Sequence, residues 1–169
     1  MGFMGSGKST IGLELAEALR YRYVDTDALI SDKMKMDIPS IFKHHGEDRF
    51  RSEELISIKE SVDLDNVIIS TGGGLPCNEE IIDIINKNTQ AYYIYIRPSV
   101  LAERLWKLSE MDSRPLLNNV HSKSELESFI KNKILQRERY YFESHGLIDG
   151  DQDVKEIVQD IIRLLPMTS

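Results

Sequence analysis

Gly2, Gly7, Lys8 and Ser9 stand at the fixed positions of the pattern G-x-x-x-x-G-K-[ST], within the run Gly-Phe-Met-Gly-Ser-Gly-Lys-Ser-Thr that ends at Thr10. Such a glycine-rich turn lets backbone N–H groups converge on an anion where a Cβ would block the approach. A helix beginning directly after the turn adds its positive end. The chemistry expected is therefore the grip of a polyphosphate. Lys8 reaches toward the β- and γ-phosphates, and the Ser9 hydroxyl is placed to ligate Mg²⁺. The plain alternative is a surface turn before an amphipathic helix.

Further along, Asp25 and Asp27 are two residues apart at the end of a β-prone run, Tyr21 to Val24. In an extended segment both carboxylates face one side, at the strand edge where open α/β sheets bind ligands. Beside a P-loop, one would serve Mg²⁺ through water and the other a substrate hydroxyl. Alone, the pair could do no more than cap a helix starting near Ala28. Arg51 and Glu54 lie three apart on a helical stripe through Leu55, Ile58 and Val62, and on spacing alone they would form a surface ion pair. Gly72, Gly73 and Gly74 follow the apolar run Val67 to Thr71, where a ligand could touch bare backbone or the chain could simply turn. Arg114 falls in the least periodic stretch, about residues 109–121, which reads as a lid able to carry a cation onto a transferring phosphoryl group. Arg137, with Tyr141 four residues later, closes a long helix capped by Ser122 and Glu125.

These residues have to be positioned by strands alternating with helices. Ile11, Leu15, Ala18 and Leu19 mark the first helix, Ala28 to Met36 a second, and the segments of about residues 28–63 the substrate-binding helices. Asp37-Ile38-Pro39 restarts a helix, His44-His45-Gly46 is a solvated helix end without metal-ligand spacing, and Val67 to Thr71 reads as a strand buried on both faces. Ala91 to Ile96 and Leu147 to Asp149 are later strands, and Val154 to Leu165 the closing helix. The implied fold is a doubly wound parallel α/β sheet with helices on both faces. A P-loop ordinarily springs from a buried strand, and only Met1 precedes Gly2, so the first strand is expected to be truncated or missing.

The 169 residues suit one domain over 1–169. With 28 acidic against 21 basic residues, a formal net charge of −7, a broad nucleic-acid surface and attachment to anionic membranes are not expected. One cysteine, Cys77, rules out an internal disulfide and reads as structural or incidental. No signal peptide and no apolar run near ~20 residues stand in the chain, so a cytoplasmic location is expected; a monomer is expected too, although no residue pattern speaks to it.

Taken in order, GxxxxGKST, Asp25-Thr26-Asp27, Phe50-Arg51, Gly72-Gly73-Gly74, Arg114-Pro115-Leu116-Leu117 and Arg137 with Tyr141 resemble the shikimate kinases from end to end. The resemblance implies the P-loop kinase fold with sheet order 2-3-1-4-5, and phosphoryl transfer from MgATP to the 3-hydroxyl of shikimate. It implies that Gly5, Ser6, Gly7, Lys8, Ser9 and Thr10 cradle the phosphates, with Ser9 and Asp25 serving the metal. Asp27 would hold the acceptor hydroxyls and take the proton. Arg51 and Arg137 would clamp the carboxylate, with Glu54 orienting Arg51. Gly72, Gly73 and Gly74 would meet the ring hydroxyls, and Arg114 would be the lid cation. Residues 104–107 and 150–152 are candidates for the adenine side. A gluconate or nucleoside-monophosphate kinase, and a nucleotide-binding regulator that no longer catalyses, are the alternatives.

Overall fold

A computed structural model describes residues 1–107, 117 and 120–166. The elements run α1 (Lys8–Leu19), β1 (Arg22–Asp25), α2 (Thr26–Met34), α3 (Ile38–Val62), β2 (Val67–Ser70), α4 (Glu79–Asn88), β3 (Tyr92–Tyr95), α5 (Pro98–Lys107), α6 (Lys123–Tyr141), β4 (Gly146–Asp149) and α7 (Val154–Leu164). The strands form two parallel pairs, β1 with β2 (Tyr23 opposite Ile68) and β3 with β4 (Tyr93 opposite Leu147). These are the 2-3 and 4-5 pairings of the expected order.

Between the pairs stand Met1 to Phe3, which form no strand. The Met1 amine donates to the Tyr92 carbonyl at 2.7 Å and the Met1 carbonyl accepts from Ile94 N–H at 2.9 Å, so the segment takes two ladder bonds on β3. Burial, with Lys8 nearby, lowers the pKa of that amine to about 5. Phe3 is buried with Ile96, Leu101, Leu105, Leu117, Leu126 and Ile130, which anchors the loop into the α5–α6 layer.

Side chains alternate across β2, and this alternation defines the two faces. Ile68 packs with Ile11, Leu15 and Ile161 of α1 and α7, whereas Ile69 packs with Ile58, Ile81 and Ile85 of α3 and α4. β2 is nevertheless half-buried along Val67–Ile69, not buried on both faces as its apolar run suggests. The reason is a cavity of about 590 Å³ between β2 and β3, lined by Met1, Leu15, Ile68, Ile85, Tyr92 and Ile161 among others.

Several local expectations shift. In α1 the buried alanine is Ala16, and Ala18 faces outward. Gly46 breaks α3 with φ 79° and ψ 173°, which divides it into two helical arms, and His44 and His45 are exposed on the first arm. Among the described residues no group of three or more His, Cys, Asp or Glu could hold a metal ion, and no helix is long and apolar enough to cross a membrane. Ser122 caps α6 by accepting from Glu125 N–H, while the Glu125 carboxylate reaches past the cap to His121 N–H at 2.9 Å.

Candidate active site

The phosphate loop is shaped by Gly5 and Gly7, both at φ 78°, a left-handed conformation that glycine adopts without penalty. Gly7 caps α1 with no side-chain hydrogen bond, and no acidic residue stands in the first turn, so the helix start presents backbone N–H groups and a positive end. The Lys8 ammonium donates to the Phe3 carbonyl at 2.9 Å, across the mouth of the loop. Ser6 is buried beneath it, and Ser9 and Thr10 are exposed on the first turn of α1.

Asp25 combines two of the roles considered for it. β1 ends at Asp25 and α2 starts at Thr26, so the strand alternation expected for the two carboxylates does not apply. The cap turn brings them together instead. One Asp25 oxygen accepts from the N–H groups of Asp27 and Ala28 at 3.0 and 3.3 Å, the usual helix cap. The other accepts from the Ser9 hydroxyl at 3.0 Å and from the Tyr23 hydroxyl at 3.3 Å. Asp27, in the first turn of α2, lies against Gly72, so close that a Cβ on Gly72 would collide with its carboxylate.

Arg51 and Glu54 are not the surface pair that spacing alone suggests. Glu54 is 2% exposed, and its carboxylate accepts from the Arg51 guanidinium at 2.6 Å, while Glu47 takes the other edge of the same guanidinium at 2.9 Å. Burial raises the Glu54 pKa; Arg51 and Arg137 act against that rise and Asp27 adds to it, so all three charges lie within electrostatic reach. A second buried carboxylate, Glu53, takes Lys33 of α2 at 2.9 Å and Arg49 of α3 at 2.5 Å. This ion triad locks the helix that carries Asp27 to the helix that carries Arg51.

Gly72–Gly74 is where the parts meet. A Cβ on Gly73 would lie 3.2 Å from Met4 N and 3.3 Å from the Gly2 carbonyl, so the glycine turn packs directly on the phosphate loop. A Cβ on Gly74 would lie 3.3 Å from the Arg51 guanidinium and 3.6 Å from that of Arg137. The Gly73 carbonyl accepts from Arg137 at 3.2 Å and from the Tyr141 hydroxyl at 2.5 Å. Arg137 also stacks over Phe3, 5.6 Å from the ring centre. The turn is therefore held on several sides and is no loose connection. Chemically, the arrangement pairs a phosphate cradle with a pocket of two guanidiniums, one carboxylate and bare backbone, which suits a small acid bearing hydroxyls.

Arg114 and the lid interval up to Leu116 lie outside the described residues. Leu117 is buried against the α5–α6 layer and Val120 packs beside it. The two stretches suggested for the adenine side are neighbours: Arg104 reaches the Gly150 carbonyl at 3.5 Å, and Asp151 pairs with Arg97 at 2.5 Å.

Three residues near the turn carry more than the sequence revealed. Tyr141 is fully buried and stacks on Tyr93 with ring centres 4.7 Å apart. Thr26 is fully buried and its hydroxyl accepts from Gly72 N–H at 3.0 Å. Cys77 is half-buried on the acceptor side, where burial raises its pKa against the influence of Arg137 and Arg51. Helical spacing from Arg137 to Tyr141 and the place of Thr26 between two carboxylates were the available signals; nothing local marked Cys77.

The profile of the shikimate kinase family matches residues 4–166. A shikimate kinase of Bacillus cereus (strain G9842) is 38% identical over 161 residues, covering 95% of this chain and 92% of its own. The crystal structure of shikimate kinase from Bacteroides thetaiotaomicron superposes with a TM-score of 0.89 at 29% identity, over 97% of this chain and 94% of that one. That of the Acinetobacter baumannii shikimate kinase in complex with shikimate gives 0.83 at 27% identity, over 96% and 88%. The chain belongs to the shikimate kinase family.

Proposed function

We infer that this protein transfers the γ-phosphoryl group of ATP to the 3-hydroxyl of shikimate. The observation that carries the reading is the meeting of Asp27, Arg51 and Arg137 around Gly72–Gly74, directly against the phosphate loop. Shikimate presents one carboxylate and three hydroxyls. Arg51 and Arg137 bind the carboxylate, Arg51 with its fork held in place by Glu54 and Glu47. Asp27 and the Gly72–Gly74 backbone receive the hydroxyls.

The reaction forms a bond from the acceptor oxygen to the γ-phosphorus and breaks the bond to the bridging β–γ oxygen, with the acceptor proton passing to Asp27. The transition state is loose, so the protein's part is alignment and positive charge on the equatorial oxygens. Gly5 to Thr10 cradle the phosphates, Lys8 neutralises the β/γ charge, and Arg114 adds charge from the lid. The paired Ser9 hydroxyl and Asp25 carboxylate suit Mg²⁺, which keeps most of its waters and needs few protein oxygens. When bound, Mg²⁺ screens the β- and γ-phosphate oxygens. Ser9 would be its direct ligand, and Asp25 would hold it through water. The protein acts as a cytoplasmic, monomeric, single-domain enzyme with no nucleic-acid or membrane partner.

Incubation with MgATP and, separately, shikimate, gluconate and nucleoside monophosphates tests the reading. Shikimate 3-phosphate alone is expected. Preferential phosphorylation of another acceptor would replace it, and ATP binding without transfer to any of them would favour a regulator.

A further inference from the structure

We propose that Thr26 and Tyr141 are positioning residues: two buried hydroxyls that grip consecutive residues of the glycine turn from opposite elements and fix its distance from Asp27 and Arg137. The proposal rests on shikimate as the acceptor, but the grip is a property of the fold.

The first hold comes from the β1–α2 junction. Thr26 has no exposed surface, and its Oγ1 accepts the Gly72 N–H at 3.0 Å across 46 residues of chain. It stands between Asp25, which meets Ser9, and Asp27, which meets Gly72. One hydroxyl therefore ties the turn to both carboxylates. The contact must be close, because the Gly72 Cα lies where any side chain would push Asp27 aside. Without the hydroxyl, a buried N–H loses its partner, and moving the turn outward is the available relief.

The second hold comes from the end of α6. The buried Tyr141 hydroxyl donates to the Gly73 carbonyl at 2.5 Å, and Arg137, one helical turn earlier, donates to the same oxygen at 3.2 Å. The ring is fixed by stacking on Tyr93. A carbonyl oxygen has two lone pairs and can accept both donors. When an acceptor carboxylate draws the Arg137 guanidinium, the Tyr141 hydroxyl still holds the carbonyl, so the turn stays in place while the arginine changes partner. Tyr141 thereby frees Arg137 for binding.

The test uses Thr26→Val, which keeps the branched shape without the hydroxyl, Thr26→Ser as rescue, and Tyr141→Phe. Steady-state kinetics in each substrate are combined with ATP binding by calorimetry and hydrogen exchange at the Gly72 amide. Thr26→Val is expected to lower kcat/KM for shikimate about 10- to 100-fold, the cost of leaving a buried donor unpaired. ATP affinity should change less than about 3-fold, a fraction of one hydrogen bond. The Gly72 amide should exchange faster, and Thr26→Ser should restore both kinetics and protection. Tyr141→Phe is expected to raise KM for shikimate about 3- to 10-fold, one net hydrogen bond, with a smaller effect on kcat. Lowered thermal stability with unchanged shikimate parameters and unchanged Gly72 exchange would overturn the proposal, as would failure of serine to rescue. If Thr26→Val does not fold, Tyr141→Phe decides by the same readouts. Should shikimate prove not to be the acceptor, the wild type shows no turnover on it while the exchange of Gly72 still tests the grip.

Discussion

The carboxyl-terminal edge of the sheet and the sheet's centre are built in opposite ways. At the edge, Gly72 to Gly74, Asp25, Asp27, Arg51 and Arg137 are each held by a named hydrogen bond, ion pair or close backbone contact. Below it, β2 and β3 share no ladder, Met1 to Phe3 fill only the top of the gap, and an apolar cavity of about 590 Å³ lies beneath. The difference teaches that the site residues are held to one another by contacts among loops and helix ends.

If that contrast holds, damage at the edge should appear in kinetics, and damage at the centre should appear in stability or hardly at all. The largest effect is expected from Lys8→Ala, which removes a charge from the phosphate loop and should depress kcat about 10²- to 10³-fold with little loss of thermal stability. A variant with near-normal turnover would show that the loop works without its cation. Next, Arg137→Ala should raise KM for shikimate about 10- to 150-fold, the value of a charge-assisted pair, leaving KM for ATP close to wild type. Equal changes in both constants would mean a general collapse of the edge.

Packing draws the same distinction between regions. Ile82→Ala, at 1% exposure, should cost about 2–5 kcal/mol in denaturant unfolding. Ile68→Ala, facing the cavity, should cost less because its neighbours on one side are already missing. Equal losses would argue that the centre is as tightly packed as the outer layers.

The smallest effect sharpens the electrostatics of the edge. Burial raises the pKa of Glu54 above the usual glutamate value. For a group raised on folding, the stabilising contribution is fully present below the unfolded pKa and is lost as pH rises through the folded one. Relative to Glu54→Gln, the wild type should therefore gain stability as pH falls through the acidic range. Unfolding midpoints of both proteins across that range measure it. A parallel pH dependence would mean that Glu54 ionises as it does in water.

Much of this was legible in the sequence because the motifs are local. The phosphate loop, the helix after it and the helix restart at Asp37-Ile38-Pro39 each lie within a few residues, and local spacing determines them. The ordered motifs also brought the site together without any knowledge of contacts. What could not be read depends on distant partners. Glu54 looked exposed by spacing and is buried because α3 packs on its neighbours. Val67–Ile69 looked doubly buried, and the gap beside β2 leaves it half-covered. The bond from Thr26 to Gly72 spans 46 residues, and no pattern in either segment announces it.

The most direct test of the central claim, that Arg51 and Arg137 form a carboxylate receptor beside the phosphate loop, is turnover of shikimate against its carboxamide, the same ring and hydroxyls without the charge. A preference for the acid of about 100-fold or more in kcat/KM is predicted, since charge-assisted pairs contribute about 1.5–3 kcal/mol each. Equal kcat/KM for the two compounds would contradict it.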